Sequence, residues 1–183
     1  GIAFVRGGCI SSRRFLNQSY DVGVVEVGRG FRGILTAAHE VGHLLGAFHD
    51  GEKNSSSCSS SSGHLMSQVW ADPYLYNRFS NCSRQNFKHF MENTWYSECL
   101  LSSDSNYTTG YEFPPHWAGE VSSIEDQCHQ YIEGIPCVGV SLESQCGQLC
   151  CEKWTQQFPS KEPAVDGTFC GVGKVSSILT PSS

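Results

Sequence analysis

The sequence predicts an α/β domain over residues 1–99 followed by a small disulfide-rich irregular domain over residues 126–183, with residues 100–125 as the linker. Three observations carry that expectation. Two β-branched runs bounded by glycines, Ile2 to Val5 and Val22 to Val27, read as strands. From Gly33 to Leu45 the apolar period changes to that of a helix. Cysteine spacing then divides the chain: Cys9, Cys58, Cys82 and Cys99 are spread over the first segment, whereas Cys128, Cys137, Cys146, Cys150, Cys151 and Cys170 crowd the last.

In the first helix Ile34, Ala38, Val41 and Leu45 fall at i, i+4, i+7 and i+11, one stripe expected to face a core, and Gly46 can end the helix. A second helix is expected to start with Ser83 as cap and to carry Phe87, Phe90, Met91 and Thr94 on one packed side, with Trp95 beside them. The run Ser55 to Ser62, broken only by Cys58, reads as a solvated loop held at its middle by a disulfide. Ser102 to Pro115 is polar and contains a Thr-Thr-Gly turn and a Pro-Pro pair, the composition of a linker.

Composition excludes several functions. With 12 basic and 18 acidic side chains, a net charge of -6 and no basic stripe, no nucleic-acid partner is expected. No stretch approaches the ~20 apolar residues that a membrane span needs. Ten cysteines without repeated CxxC pairs favour disulfides in an oxidising, extracellular setting. The sequons at Asn17, Asn54, Asn81 and Asn106 agree with a secreted glycoprotein. The sequence opens at Gly1 with no signal-like segment, which is the expectation for a processed or truncated chain.

The chemistry concentrates on the first helix. His39 and His43 lie four apart, so at ~100° per residue they project together, roughly 150° from the apolar stripe. Imidazoles so placed can ligate one zinc, and Glu40 lies beside them to act on a water. Gly46 can turn the chain back so that His49 becomes the third ligand, leaving one position open. The spacing His39-Glu-Val-Gly-His43-Leu-Leu-Gly46-Ala-Phe-His49 arises by chance in on the order of one in 10,000 such chains. His64, His89, His116 and His129 have no partner at ligand spacing and read as ordinary residues.

This extended motif, closed by Asp50 and followed by Met66 in His-Leu-Met-Ser, resembles that of metzincin zinc endopeptidases of the reprolysin (adamalysin) family. The resemblance implies a zincin-like α/β catalytic domain, here partial, and one catalytic Zn2+ held by His39, His43 and His49. It implies Glu40 as general base, Met66 as the Met-turn residue below the metal, and Asp50 with Gly46 as structural residues of the motif. Gly1-Ile2-Ala3-Phe4 is similar to the family's edge strand, along which an extended substrate would lie, and Tyr20 to Val27 to the strand after it. Cys9 with Cys99 and Cys58 with Cys82 are the disulfides it implies, and Ser67 to Ala71 would wall the pocket for the side chain following the cut bond.

The tail is similar to the disintegrin-like and cysteine-rich segment of ADAMTS-type proteases, in Asp126-Gln-Cys128, Cys146-Gly-Gln-Leu-Cys150-Cys151 and Asp166-Gly-Thr-Phe-Cys170. Secreted salivary metalloproteases of blood-feeding arthropods share this short layout. Cys150 departs from the pattern's tryptophan, and Val-Ser-Ser-Ile follows Lys174 in place of Trp-Cys. The resemblance therefore implies a secreted zinc endopeptidase acting on extracellular or plasma proteins, fibrinogen or matrix proteins at the level of the family, with a structural Ca2+ allowed. The competing reading is an extracellular disulfide-rich binding module on an inactive protease scaffold. The resemblance also places three strands and a helix before the edge strand, against the active-site helix.

Overall fold

In the computed structural model the first helix, α1, runs Gly33–Leu44, and its end explains much of what surrounds it. The structure describes residues 1–10, 18–28, 33–69, 75–101, 115–160 and 162–176. Gly46 has φ +98°, a left-handed conformation costly for any residue with a Cβ. Its N–H donates to the His43 carbonyl at 2.8 Å and the Ala47 N–H to the Gly42 carbonyl at 2.9 Å, the paired bonds of a Schellman turn. The N-terminal segment adds two bonds at the same end, Arg6 N–H to His43 O at 2.9 Å, a carbonyl that so accepts twice, and Gly8 N–H to Leu44 O at 3.0 Å. Helix termination thus also anchors residues 6–8 on α1.

Two units divide the chain, residues 1–26 with 33–109 and residues 27–32 with 110–183. In the first, β1 (Ile2–Ala3) pairs antiparallel with β2 (Gly23–Val24), Ile2 opposite Val24. Both strands are shorter than the runs Ile2 to Val5 and Val22 to Val27. After β1 the chain turns, the Gly7 N–H donating to the Phe4 carbonyl at 3.2 Å, and a Cβ on Gly7 would overlap the Tyr20 carbonyl oxygen.

The face of α1 that packs is not the expected one. Ile34 is 47% and Val41 50% exposed, while Leu35 is buried in a cluster with Leu65 and Tyr76, flanked by Ala38 and Phe79. The helix carries two overlapping apolar stripes, and Leu65, Met66, Tyr76 and Phe79 meet the one through Leu35, Ala38 and Gly42. A Cβ at Gly42 would stand 3.0 Å from Met66 Sδ and 3.1 Å from the Phe79 ring, so the glycine lets Met66, fully buried, press against the helix.

The second helix, α2, is Asn81–Glu92, and α3 is Thr94–Leu101. Ser80, not Ser83, caps α2: its Oγ accepts from the Ser83 N–H at 3.2 Å. Ser80 and Ser83 are both good caps separated by one turn, and the earlier one wins because its hydroxyl has a second partner in the Asp50 carboxylate. The helical period breaks at Asn93, so the expected common face does not form: Phe90 is fully buried, whereas Met91 and Trp95 are exposed. The Thr94 side chain lies outside the described residues.

Disulfides join Cys9 to Cys99 and Cys58 to Cys82, the latter clipping α2 to the serine-rich loop. Within that loop region Lys53–Ser55 forms a 3-10 turn, and Ser55 is buried, its Oγ accepting from Asn86 Nδ2 of α2 at 2.9 Å. Most of the span Ser102 to Pro115 lies outside the described residues.

In the second unit, part of the expected linker is helical: α4 is Ala118–Val121 and α5 begins at Ile124 and ends at Ile132. Ser123 and Asp126 cap α5 reciprocally, Ser123 Oγ accepting from the Asp126 N–H and Asp126 Oδ2 from the Ser123 N–H, a box with Asp where Glu is usual. The antiparallel sheet β3 (Ile135–Pro136), β4 (Cys150–Lys153), β5 (Gln156–Pro159) follows, with α6 (Leu142–Gly147) before β4. A last hairpin is formed by β6 (Phe169–Gly171) and β7 (Lys174–Val175).

Disulfides Cys128–Cys151, Cys137–Cys150 and Cys146–Cys170 supply much of this small core, the first packed with Ile124 and Leu149. Adjacent Cys150 and Cys151 point to opposite faces of β4, as strand residues must, so each finds its own partner. Buried Gln127 ties α5 to the segment before the last hairpin, donating to Thr168 Oγ1 at 2.9 Å and accepting from the Val165 N–H at 3.1 Å. No described helix is long and apolar enough to cross a membrane.

Gly46→Ala is expected to cost about 1–3 kcal/mol by forcing a Cβ into the left-handed turn, where it would also stand 3.2 Å from Phe90 Cβ. A thermal melt checks it; an unchanged Tm would contradict the role given to this turn.

Candidate metal centre

After the Schellman turn the chain runs back past the helix end, and His49 comes to face His39 and His43. His49 Nε2 lies 3.2 Å from Nε2 of His39 and 3.2 Å from Nε2 of His43. Among the described residues this is the one cluster of three or more His, Cys, Asp or Glu placed to hold a metal ion.

For two of the rings the opposite nitrogen shows what Nε2 carries. His39 Nδ1 is 2.8 Å from the Leu65 carbonyl and His43 Nδ1 2.8 Å from the Ala47 carbonyl. A carbonyl only accepts, so each Nδ1 bears the proton and each Nε2 presents a lone pair. Lone pairs converging at van der Waals distance repel unless a cation or proton lies among them. A tetrahedral zinc with ligands at about 2.0–2.1 Å would space its nitrogens about 3.3–3.4 Å apart, close to what is observed. The donor set fits zinc.

Burial reinforces this. It pushes the pKa of His39 below the usual histidine value, against the Leu65 carbonyl, which raises it. His43 is lowered in the same way, with the Ala47 carbonyl opposing. Both rings therefore stay neutral, the form that ligates, to a lower pH than free imidazole.

Glu40 is 5% exposed, and its Oε2 is buried with no hydrogen-bond partner among the described residues. A carboxylate oxygen so placed next to the three imidazoles is an acceptor awaiting a proton donor such as a water. The β1 ribbon runs beside it: the Gly1 nitrogen is 3.8 Å from Glu40 Oε1, and a Cβ on Gly23 would stand 3.7 Å from Glu40 Cβ. Ile2 and Phe4 are exposed and Ala3 partly so.

Asp50 is fully buried and holds the returning segment. Its carboxylate accepts from Ser80 Oγ at 2.6 Å and Ser67 Oγ at 3.2 Å, and its N–H donates to the Met66 carbonyl at 2.9 Å. The Ser80 hydroxyl therefore donates to Asp50 while accepting from the α2 N-terminus. Sequence reasoning missed Ser80 and named Ser67 only as pocket wall, and it missed the Leu65 and Ala47 carbonyls, because a backbone acceptor leaves no residue signature. Ser67, Gln68 and Val69 follow Met66 as the expected pocket wall, while Trp70 and Ala71 lie outside the described residues. His64 bonds to Ser62 Oγ, and His116 pairs with Glu120 at 3.1 Å.

Comparison with known proteins agrees with this geometry. The profile of the reprolysin (M12B) family zinc metalloproteases matches residues 5–103. A Bombyx mori protein named "a disintegrin and metalloproteinase with thrombospondin motifs like" is 33% identical over 95% of this chain and 25% of its own length. Human "a disintegrin and metalloproteinase with thrombospondin motifs 14" is 29% identical over 79% of the chain and 12% of its own length. A venom metalloproteinase of Olivierus martensii is 30% identical over 56% of the chain and 24% of its own. The chain thus spans a quarter or less of these relatives. With its histidine cluster and the match across the first unit, the chain belongs to the reprolysin (M12B) family of zinc metalloproteases.

Proposed function

We propose that the first unit is the C-terminal part of a reprolysin-type catalytic domain and that the protein hydrolyses peptide bonds of extracellular proteins. The observation that carries this reading is the convergence of the three Nε2 atoms beside a buried carboxylate with an unpartnered oxygen. His39, His43 and His49 would hold the zinc through Nε2. When bound, zinc polarises a peptide carbonyl and makes water acidic enough to lose a proton near neutral pH.

Glu40 is the general base. Its orphaned oxygen takes the proton from the attacking water and returns it to the leaving amine, so one carboxylate serves as base and then acid. No side chain needs to form a covalent bond to the substrate. Asp50, Gly46 and Met66 position the ligands, and residues Gly1–Phe4 offer backbone to an extended peptide beside Glu40.

For the second unit we propose the disintegrin-like and cysteine-rich segment, residues 126–183, which would bind protein partners and direct the protease to its substrate. Five disulfides support an extracellular setting. Fibrinogen and matrix proteins are the substrates to try first. Asn54 and Asn81 are exposed and open to glycosylation, whereas Asn17 and Asn106 lie outside the described residues. Nothing in the described residues marks a calcium site.

Glu40→Ala should keep zinc and lose hydrolysis by at least about 100-fold, the lower range of general acid-base contributions; His43→Ala should lose zinc and hydrolysis together. Peptide turnover and bound zinc, measured on the same samples, check both. A Glu40→Ala protein with normal turnover would overturn the mechanism.

The lowered pKa of His39 and His43 sets a pH dependence for the metal-free protein. Below about pH 6.5 the unfolded state binds more protons than the folded one. The stability these groups contribute is therefore complete above that pH and is lost as pH falls through their folded values. The Tm of chelator-treated protein should drop as pH is lowered from 7.5 through this window, and a profile identical to that of a His39→Gln/His43→Gln variant would contradict it.

A further inference from the structure

We propose that Glu52 is a positioning residue for His49, holding the third imidazole with its proton on Nδ1 so that Nε2 is left open to the metal. This rests on the reading of the three histidines as zinc ligands.

The three rings are oriented by different means. Backbone carbonyls fix His39 and His43, as seen in their 2.8 Å contacts to Leu65 and Ala47. The Nδ1 of His49 faces a side chain instead, with Glu52 Oε2 at 3.6 Å. That is too long for a hydrogen bond, and with the imidazole neutral what Glu52 supplies is the field of a carboxylate on one edge of the ring. Glu52 is itself held: Gln68 Nε2 donates to its Oε1 at 3.2 Å, and its own N–H donates to the His49 carbonyl at 3.1 Å, closing the turn that carries both residues.

The alternative tautomer shows why this field matters. With the proton on Nε2, His49 would donate it toward the lone pairs of His39 and His43, each 3.2 Å away, and relieve their repulsion. A metal would then have to displace that shared proton. A negative charge beside Nδ1 draws the proton to the far edge of the ring and leaves three convergent lone pairs for the cation. Outer carboxylates on ligating histidines have this effect generally, and their removal weakens metal binding about 10–100-fold. Because Gln68 stands in the segment expected to wall the substrate pocket, the same contact links that wall to the metal.

The test is zinc affinity of the full chain, by competition with a chromophoric chelator, alongside the Tm of the metal-free protein. Glu52→Gln is expected to weaken zinc binding about 10–100-fold with the metal-free Tm unchanged. Glu52→Asp, which keeps the charge, should recover most of the affinity. Glu92→Gln, which removes a carboxylate paired with Lys88 at 3.7 Å on exposed α2 surface, should bind like the unaltered chain. Three results would overturn the proposal alone: Glu52→Gln binding zinc as tightly as the unaltered chain, Glu52→Asp as weak as Glu52→Gln, or a metal-free Tm that falls with affinity. An unaltered chain that binds no zinc would instead overturn the metalloprotease reading, and this proposal with it.

Discussion

The left-handed turn at Gly46 is the constraint on which the site depends. Two histidines four apart on a helix make half of a metal centre. The third must come from chain that has left the helix, reversed, and returned to the same face within six residues. Gly46 at φ +98° permits that reversal, and the two Schellman bonds hold it. The turn also exposes the Ala47 carbonyl to His43 Nδ1, so the feature that returns the chain fixes the tautomer of a ring it left behind.

What keeps the returning segment in place is a second constraint, the buried carboxylate of Asp50. Burying a charge is unfavourable unless it is hydrogen-bonded, and here the Ser80 and Ser67 hydroxyls both donate to it. Through Ser80 the carboxylate is tied to the N-terminus of α2, and the Asp50 N–H ties the same residue to the carbonyl of Met66, which packs against α1. Those connections, with the Cys58–Cys82 clip, join the metal site, the Met66 turn and α2 into one mechanical unit.

The zinc motif was legible because its information is local: the i, i+4 pair, a glycine where a left-handed residue is needed, and a third histidine three residues on. The helix itself and its end were legible for the same reason. Which side of α1 packs was not, because Ile34 and Val41 on one stripe and Leu35 and Gly42 on the other are equally good by periodicity, and only the distant residues Leu65, Met66, Tyr76 and Phe79 decide between them. The cap of α2 failed similarly, since Ser80 and Ser83 differ only in the tertiary partner Asp50. In the second unit, α4 and the start of α5 were hidden by an Asp-closed capping box and by polar composition that resembles a linker. The acceptors that orient His39 and His43 belong to the backbone and have no sequence signal at all.

The centre stands or falls on whether these three imidazoles, and nothing else from the chain, surround the metal. X-ray absorption at the zinc edge of the loaded protein measures this directly. Three imidazole nitrogens at about 2.0–2.1 Å, completed by a non-protein oxygen, is the expected shell. A sulfur contribution near 2.3 Å, or fewer than three imidazoles, would contradict it.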